Sequence, residues 1–302
     1  MNEILVSVVI PTYNRAAFLP PAIDSAITAC EGLPFEIVVV DDVSTDNTSD
    51  VVARYADRHV RYLPCGSRQG GGGARNIGMA AATGRYIAFL DSDTIWNPDK
   101  IRRQLAILRE SPADVAGIYS LVRKITPGGQ EIGIFPRVTH AQDVHKNLLL
   151  DNFIDTPSAI IRREVIDAVG GFDPALPRFQ DWEFFLRAAE KFTFIAINEP
   201  MLDSIELPDA ISKNDAARVV ALQHIFQKHF QSTSVQPAAY RRMVTKIVNA
   251  MVLTGHSQAG RRFALGSRIR ARDKALLVGA SFVPAGTMKA LNELRKRVLA
   301  RA

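Results

Sequence analysis

The sequence predicts an α/β fold, a Rossmann-like and mostly parallel central sheet flanked by helices, with a helical C-terminal extension. Three observations carry this. Four short, β-branched, continuously apolar runs recur over the first hundred residues, a helix-like stretch separates each from the next, and no strand-like run occurs beyond about residue 208. Apolar runs without alternation belong to strands buried on both faces. Strand–helix–strand units repeating at roughly 25–30 residues make right-handed parallel crossovers. With 302 residues, 47% hydrophobic and 23% charged, the chain can bury a full core.

The expected strands are Val6–Ile10, Ile37–Val40, Val60–Leu63 and Tyr86–Leu90, with helices around 20–30, 48–57, 74–82 and 98–109. The rhythm then loosens. Val115–Ile125, the turn residues Pro127, Gly128 and Gly129, and Glu131–Ile134 read as a hairpin. Ser158–Ile161 reads as a further strand, 181–191 as a helix and 192–197 as a strand. A boundary near 205–210 gives a first domain over 1–207 and a helical region over 208–302.

The net charge of +6 points to anionic partners. Basic clusters occupy 261–274 and 295–301, and Lys274–Ala285 is apolar enough to touch a membrane but too short to cross it. Peripheral contact with an anionic membrane and plain helix packing both fit this segment. Nucleic-acid binding is not expected, because no module interleaves stacking aromatics with basic residues. No signal peptide opens the sequence, and no run approaches ~18 apolar residues, so neither secretion nor membrane spanning is expected. Cys30 and Cys65 lack metal or redox spacing and read as thiols of a reducing compartment. The expected location is cytoplasmic, including the inner face of the membrane.

Ligands of parallel sheets sit at the carboxyl ends of the strands, so the residues that follow each run carry the information. Pro11 ends the first strand and displays Thr12, Tyr13 and Asn14. An aromatic ring there can pack on a nucleobase, although a strand-exit turn whose Tyr closes the core is the simpler reading of this segment alone. Asp41 and Asp42 end the second strand, where carboxylates suit imide or ribose donors, while Ser44 to Asp46 suit a helix cap. Gly70 to Gly73 let backbone approach a ligand ahead of a helix N-terminus, and Arg75 adds a cation for phosphate. Asp91 and Asp93 lie on one side of an extended segment and suit a hard divalent cation, Mg²⁺ or Mn²⁺. Asp181 falls at a helix start, where a carboxylate is either an ordinary first-turn residue or a general base.

In order, VSVVIPTYNR, VVVDDVSTDNT, GGGGARNIG, YIAFLDSD and FQDWEFFLRAA resemble the family 2 glycosyltransferases of GT-A fold, over roughly residues 5–200. The resemblance implies inverting transfer from a nucleoside diphosphate sugar, with a UDP-sugar favoured, to a saccharide or lipid-linked saccharide hydroxyl in cell-surface polysaccharide or glycolipid synthesis. It implies nucleoside contacts at Pro11, Thr12, Tyr13 and Asp42 with Asp41 adjacent, and further donor contacts at Asn14, Arg15, Gly73, Arg75, Asp91 and Ser92. It implies metal ligation at Asp91 and Asp93, with Asp93 in direct contact, and a general base at Asp181. Two positions depart from the family's pattern: Gln180 stands where Glu is common, and Arg68 where Asn is common. Two alternatives remain. A nucleotidyltransferase would need a glycine-rich basic loop directly after the first strand, where this chain has Pro-Thr-Tyr-Asn. A non-catalytic sugar-nucleotide-binding protein would be expected to lose the aspartate pair or the base, and this chain keeps both.

Overall fold

The computed structural model describes residues 3–136, 143–207, 214–284, 286 and 287. Its first part alternates strand and helix: β1 (Val6–Thr12), α1 (Leu19–Cys30), β2 (Phe35–Asp41), α2 (Thr48–Ala53), β3 (Val60–Pro64), α3 (Gly70–Ala81) and β4 (Tyr86–Phe89). The four strands lie side by side in the order β3-β2-β1-β4 and pair in parallel. Val6, Val8, Val9 and Ile10 are fully buried, as are Ile37 to Val40, because helices cover both faces. The register aligns Thr12 with Asp41, and Leu90 N–H donates to the Val9 carbonyl at 3.0 Å. The three strand exits therefore open along one edge.

The chain continues through β5 (Thr94–Trp96), α4 (Lys100–Glu110), β6 (Val115–Ile125), β7 (Glu131–Phe135), α5 (Val144–Leu150), a 3-10 turn at Thr156–Ser158, β8 (Ile160–Arg162), α6 (Arg163–Val169), α7 (Gln180–Lys191) and β9 (Thr193–Ile205). The sheet order extends to β4-β8-β6-β9-β5, with β7 on β6. This half is mixed: β8 runs antiparallel to both β4 and β6, β9 is parallel to β6, and β5 is antiparallel to β9. The parallel sheet read from the sequence thus describes the β3–β4 half. β5, α5 and α6 had no counterpart in the sequence reading, and β9 continues well past 197.

α3 begins at Gly70, four residues before the expected helix, so the glycine run opens the helix, with Gly70 itself in the left-handed region at φ +70°. Packing on the sheet explains a further glycine of the same helix, Gly78. A Cβ at Gly78 would lie 2.4 Å from Val9 Cγ1 and 3.0 Å from Val40 Cγ2. The bare backbone lets α3 rest directly on β1 and β2. Gly78→Ala is expected to destabilise the fold by about 1–3 kcal/mol through overpacking, outweighing the roughly 1 kcal/mol that alanine adds in helix propensity. Urea unfolding with an unchanged m-value would check this.

The chain divides into two compact units. The first holds the described residues up to Leu148, Asn152–Ala175 and Gln180–Leu207, and contains the whole sheet. The second holds Leu149–Asp151, Leu176–Phe179 and the described residues from 214 onward. It is helical: α8 (Asp215–His229), α9 (Pro237–Leu253), α10 (Ser257–Gly266) and α11 (Ala271–Ala280). Asn214 caps α8 by accepting from Ala217 N–H at 2.9 Å. Phe226 centres the core of this unit, with ring centroids of Tyr240 at 5.4 Å and Phe263 at 5.2 Å. The basic cluster at 261–274 falls on α10 and α11, next to exposed Leu265, Leu276 and Phe282, whereas 295–301 lies outside the described residues. No helix among the described residues is long and apolar enough to cross a membrane. Cys30 is buried and unbridged, and burial pushes its thiol up to about 12; Cys65 is also unbridged.

Candidate active site

The loops leaving β1 and β2 are tied to each other. Asn14, at φ +50°, donates its N–H to Ser44 Oγ at 2.8 Å and accepts from Thr45 N–H at 2.7 Å. Asp46 accepts from Ala16 N–H at 3.1 Å and from Thr48 N–H at 3.1 Å, so it ties the β1 exit to the start of α2 from one residue before the N-cap, Asn47, which makes no side-chain cap bond of its own. Asp41 is held inside the protein, accepting from Ser44 N–H at 2.9 Å and from the Tyr62 hydroxyl at 2.5 Å. Asp42 is buried and accepts from Gln69 N–H at 2.6 Å and Gly70 N–H at 2.9 Å. It therefore supplies the carboxylate at the N-terminus of α3. Tyr13 is 41% exposed, so it does not close the core. Pro11 is half-buried beside it, and Thr12 Oγ1 is buried with no hydrogen-bond partner.

The first turn of α3 meets the first turn of α7. A Cβ at Gly72 would lie 3.0 Å from the Gln180 side chain, one at Gly71 3.3 Å from Arg75 Nη1, and one at Gly73 2.8 Å from Gln69 Cβ. One turn further along, Arg75 donates to Asp91 Oδ1 at 2.5 Å and lies over the Phe172 ring at 5.7 Å. Its Nε is buried without a partner. Asn76 fixes Phe172 by bonding both its N–H (2.7 Å) and its carbonyl (2.8 Å). Phe172 packs in turn on Phe89 and Phe184, which anchors α7 to β4.

Asp91 and Asp93 follow β4, with Ser92 buried between them. Burial and the neighbouring Asp91 charge push the Asp93 carboxyl up to about 6, against the opposing pull of Arg15 and Lys124. Asp181 is the second residue of α7 and accepts from Asn152 Nδ2 at 2.9 Å. Burial, then the Asp155 charge, push it up to about 6; Asn152, the Trp182 N–H and Arg75 pull the other way. Lys124, at the carboxyl end of β6, donates to Asp155 at 2.8 Å and to Ser204 Oγ at 3.2 Å. Burial lowers its pKa, and Asp155, Asp91 and Asp93 more than offset this, leaving it above the ordinary lysine value.

Of the residues expected from the sequence, Asp181, Arg75, Asp91, Asp93 and Arg15 are linked in succession by charge interactions, and Tyr13, Asn14 and Asp42 line the β1–β2 exit. Asp41 faces Tyr62 and Ser44. Lys124, Asn152, Asp155 and Phe172 were not foreseen. A charged pair ending an otherwise buried strand, Arg123-Lys124, was the available signal for Lys124. The loop holding Asn152 and Asp155 offered none. Among the described residues, no group of three or more His, Cys, Asp or Glu side chains is placed to hold a metal.

This edge, with helix N-termini, cations and carboxylates at the exits of a half-parallel sheet, defines a GT-A fold. The chain aligns with TarS 1–349 of S. aureus in complex with UDP-GlcNAc at a TM-score of 0.61 and 16% identity, over 92% of this chain and 88% of that one. It aligns with the mannosyltransferase PcManGT of Pyrobaculum calidifontis, in complex with GDP-Man and Mn²⁺, at a TM-score of 0.58 and 21% identity, over 98% and 85%. The profile described as Glycosyl transferase family 2 matches residues 7–170, and the chain belongs to that family. The succinoglycan biosynthesis protein ExoO of Rhizobium meliloti (strain 1021) is 33% identical over 234 residues, 73% of this chain and 64% of ExoO. The chain spans less than two thirds of the length of the first curated relatives it matches.

Proposed function

We propose that this chain is an inverting, metal-assisted glycosyltransferase that moves a sugar from a nucleoside diphosphate sugar to a saccharide or lipid-linked saccharide hydroxyl, in polysaccharide synthesis. The observation that carries this reading is the succession of charge interactions that links Asp181, at the start of α7, to Arg75 of α3, Arg75 to Asp91, and Asp91 to Asp93 after β4. A UDP-sugar is the favoured donor, its base on Tyr13 and Asp42 and its diphosphate toward Arg75, whose unpartnered Nε suits an anion. ExoO's role in succinoglycan synthesis supports the polysaccharide setting.

Asp91 and Asp93 would hold Mn²⁺ or Mg²⁺. Burial beside a like charge makes Asp93 costly to ionise alone, a condition a divalent cation relieves. Two carboxylates also leave coordination positions for water and phosphate oxygens, the usual habit of Mg²⁺. Such an ion, when bound, supplies charge stabilisation for the departing diphosphate. Arg75 adds a fixed positive charge on the same side. Asp181, held in place by Asn152, takes the proton of the acceptor hydroxyl as it attacks the anomeric carbon in line. Release of nucleoside diphosphate on adding donor and acceptor tests the reading. Release of pyrophosphate would point to a nucleotidyltransferase, and donor binding without turnover to a non-catalytic protein.

The second unit is proposed to dock on an anionic inner leaflet through α10 and α11, where Leu276 and Phe282 stand exposed beside Arg261, Arg272 and Lys274. Leu276→Glu with Phe282→Glu is expected to abolish flotation with anionic vesicles. Unchanged flotation, or none by the unaltered chain, would end the docking proposal.

A further inference from the structure

The slot assigned above to the nucleobase already has an occupant from the chain itself. Arg68 places its guanidinium carbon 3.4 Å from the centroid of the Tyr13 ring. That is van der Waals contact, and no ring can enter between the two. The same guanidinium bonds Asp42 twice, from Nη1 to Oδ2 at 2.9 Å and to the carbonyl oxygen at 3.0 Å. A guanidinium is planar, has a π-face and donates N–H groups from its edge. These are the features that a base with a ring N–H, such as uracil or guanine, would offer to Tyr13 and Asp42.

We propose that Arg68 is a donor-binding residue that acts by displacement: its guanidinium stands in for the nucleobase, and the donor enters by exchanging with it. This rests on the base site proposed above. The surroundings permit the exchange. The Arg68 side chain is 52% exposed, so it can swing into solvent, and the buried Asp42 carboxylate it leaves behind still accepts from two backbone N–H groups at the start of α3. Asp42 meanwhile stays fixed by Gln69 N–H and Gly70 N–H, so the slot keeps its shape and one acceptor position becomes available. The contacts that must be broken are a half-exposed cation–π stack and an ion pair between the half-exposed Arg68 and the buried Asp42.

The test is calorimetric titration of UDP, with excess Mn²⁺, into the full chain and its Arg68→Ala and Arg68→Lys variants. Loss of the two contacts is expected to tighten UDP binding about tenfold in Arg68→Ala. Arg68→Lys, which keeps the charge but cannot stack as a plane, should fall between the two. Damage to the fold would weaken binding, so a gain in affinity is not a by-product of misfolding. Affinity that is unchanged or lower in Arg68→Ala would overturn the displacement, a lower value meaning that the base rests on the guanidinium instead. Failure of the unaltered chain and both variants to bind UDP or GDP would overturn the base site itself, and the displacement with it.

Discussion

Asp181→Asn is expected to lower transfer by about 10²–10⁴-fold, the usual contribution of a positioned general base, with donor affinity nearly unchanged. The amide keeps the size of the side chain and its place at the start of α7, but it cannot take a proton. Asn152 and the fixed backbone of α7 should hold the substituted side chain in place. The proposed role also has a pH signature. Burial and the Asp155 charge push Asp181 up to about 6, and the base form is the ionised one. Transfer should therefore fall as pH drops through about 6 and level off above it. Asp155→Asn removes a charge that raises this value, so the acid limb should move to lower pH. Single-turnover rates across pH, with donor affinity measured separately, would check both; an Asp181→Asn chain that turns over normally would remove Asp181 from its role.

Asp93→Ala is expected to have the second-largest effect, a loss of metal-dependent donor binding together with a fall in turnover of at least about 100-fold. Metal stabilisation of a leaving group is worth several kcal/mol, and each 1.36 kcal/mol is about tenfold in rate. The substitution also removes a buried carboxylate that is costly to ionise next to Asp91. The folded state should therefore be no less stable in the absence of metal, which separates loss of function from loss of fold. Thermal shifts with and without Mn²⁺ would show it: the unaltered chain should gain stability from metal plus UDP, and Asp93→Ala should not.

The parallel half of the sheet was legible because its signal is local. Val6–Ile10 and Ile37–Val40 are buried on both faces, and such strands announce themselves as unbroken apolar runs. Asp41, Asp42, Asp91 and Asp93 were legible for the same reason, since each pair closes an apolar run at the edge where ligands of parallel sheets sit. What could not be read depends on partners far away in sequence. Gly70 to Gly73 have poor helix propensity, yet they form the first turn of α3, whose N-terminal N–H groups are met by Asp42, just after β2. β5 has three residues and α6 seven, too few to set a period. The Lys124–Asp155 pair joins positions 31 residues apart with no motif at either end. Arg68 stood out only as a departure from the family pattern, and the structure shows that it fills the face of Tyr13.

The proposed reaction needs a cation and a diphosphate held together at the tips of β1, β2 and β4. Titration of UDP into the chain, once with Mn²⁺ and once with a chelator in excess, tests this most directly. Saturable binding is expected with the metal, lost on chelation and absent in Asp93→Ala. Binding of equal strength in both conditions, or no binding of any nucleoside diphosphate, would contradict it.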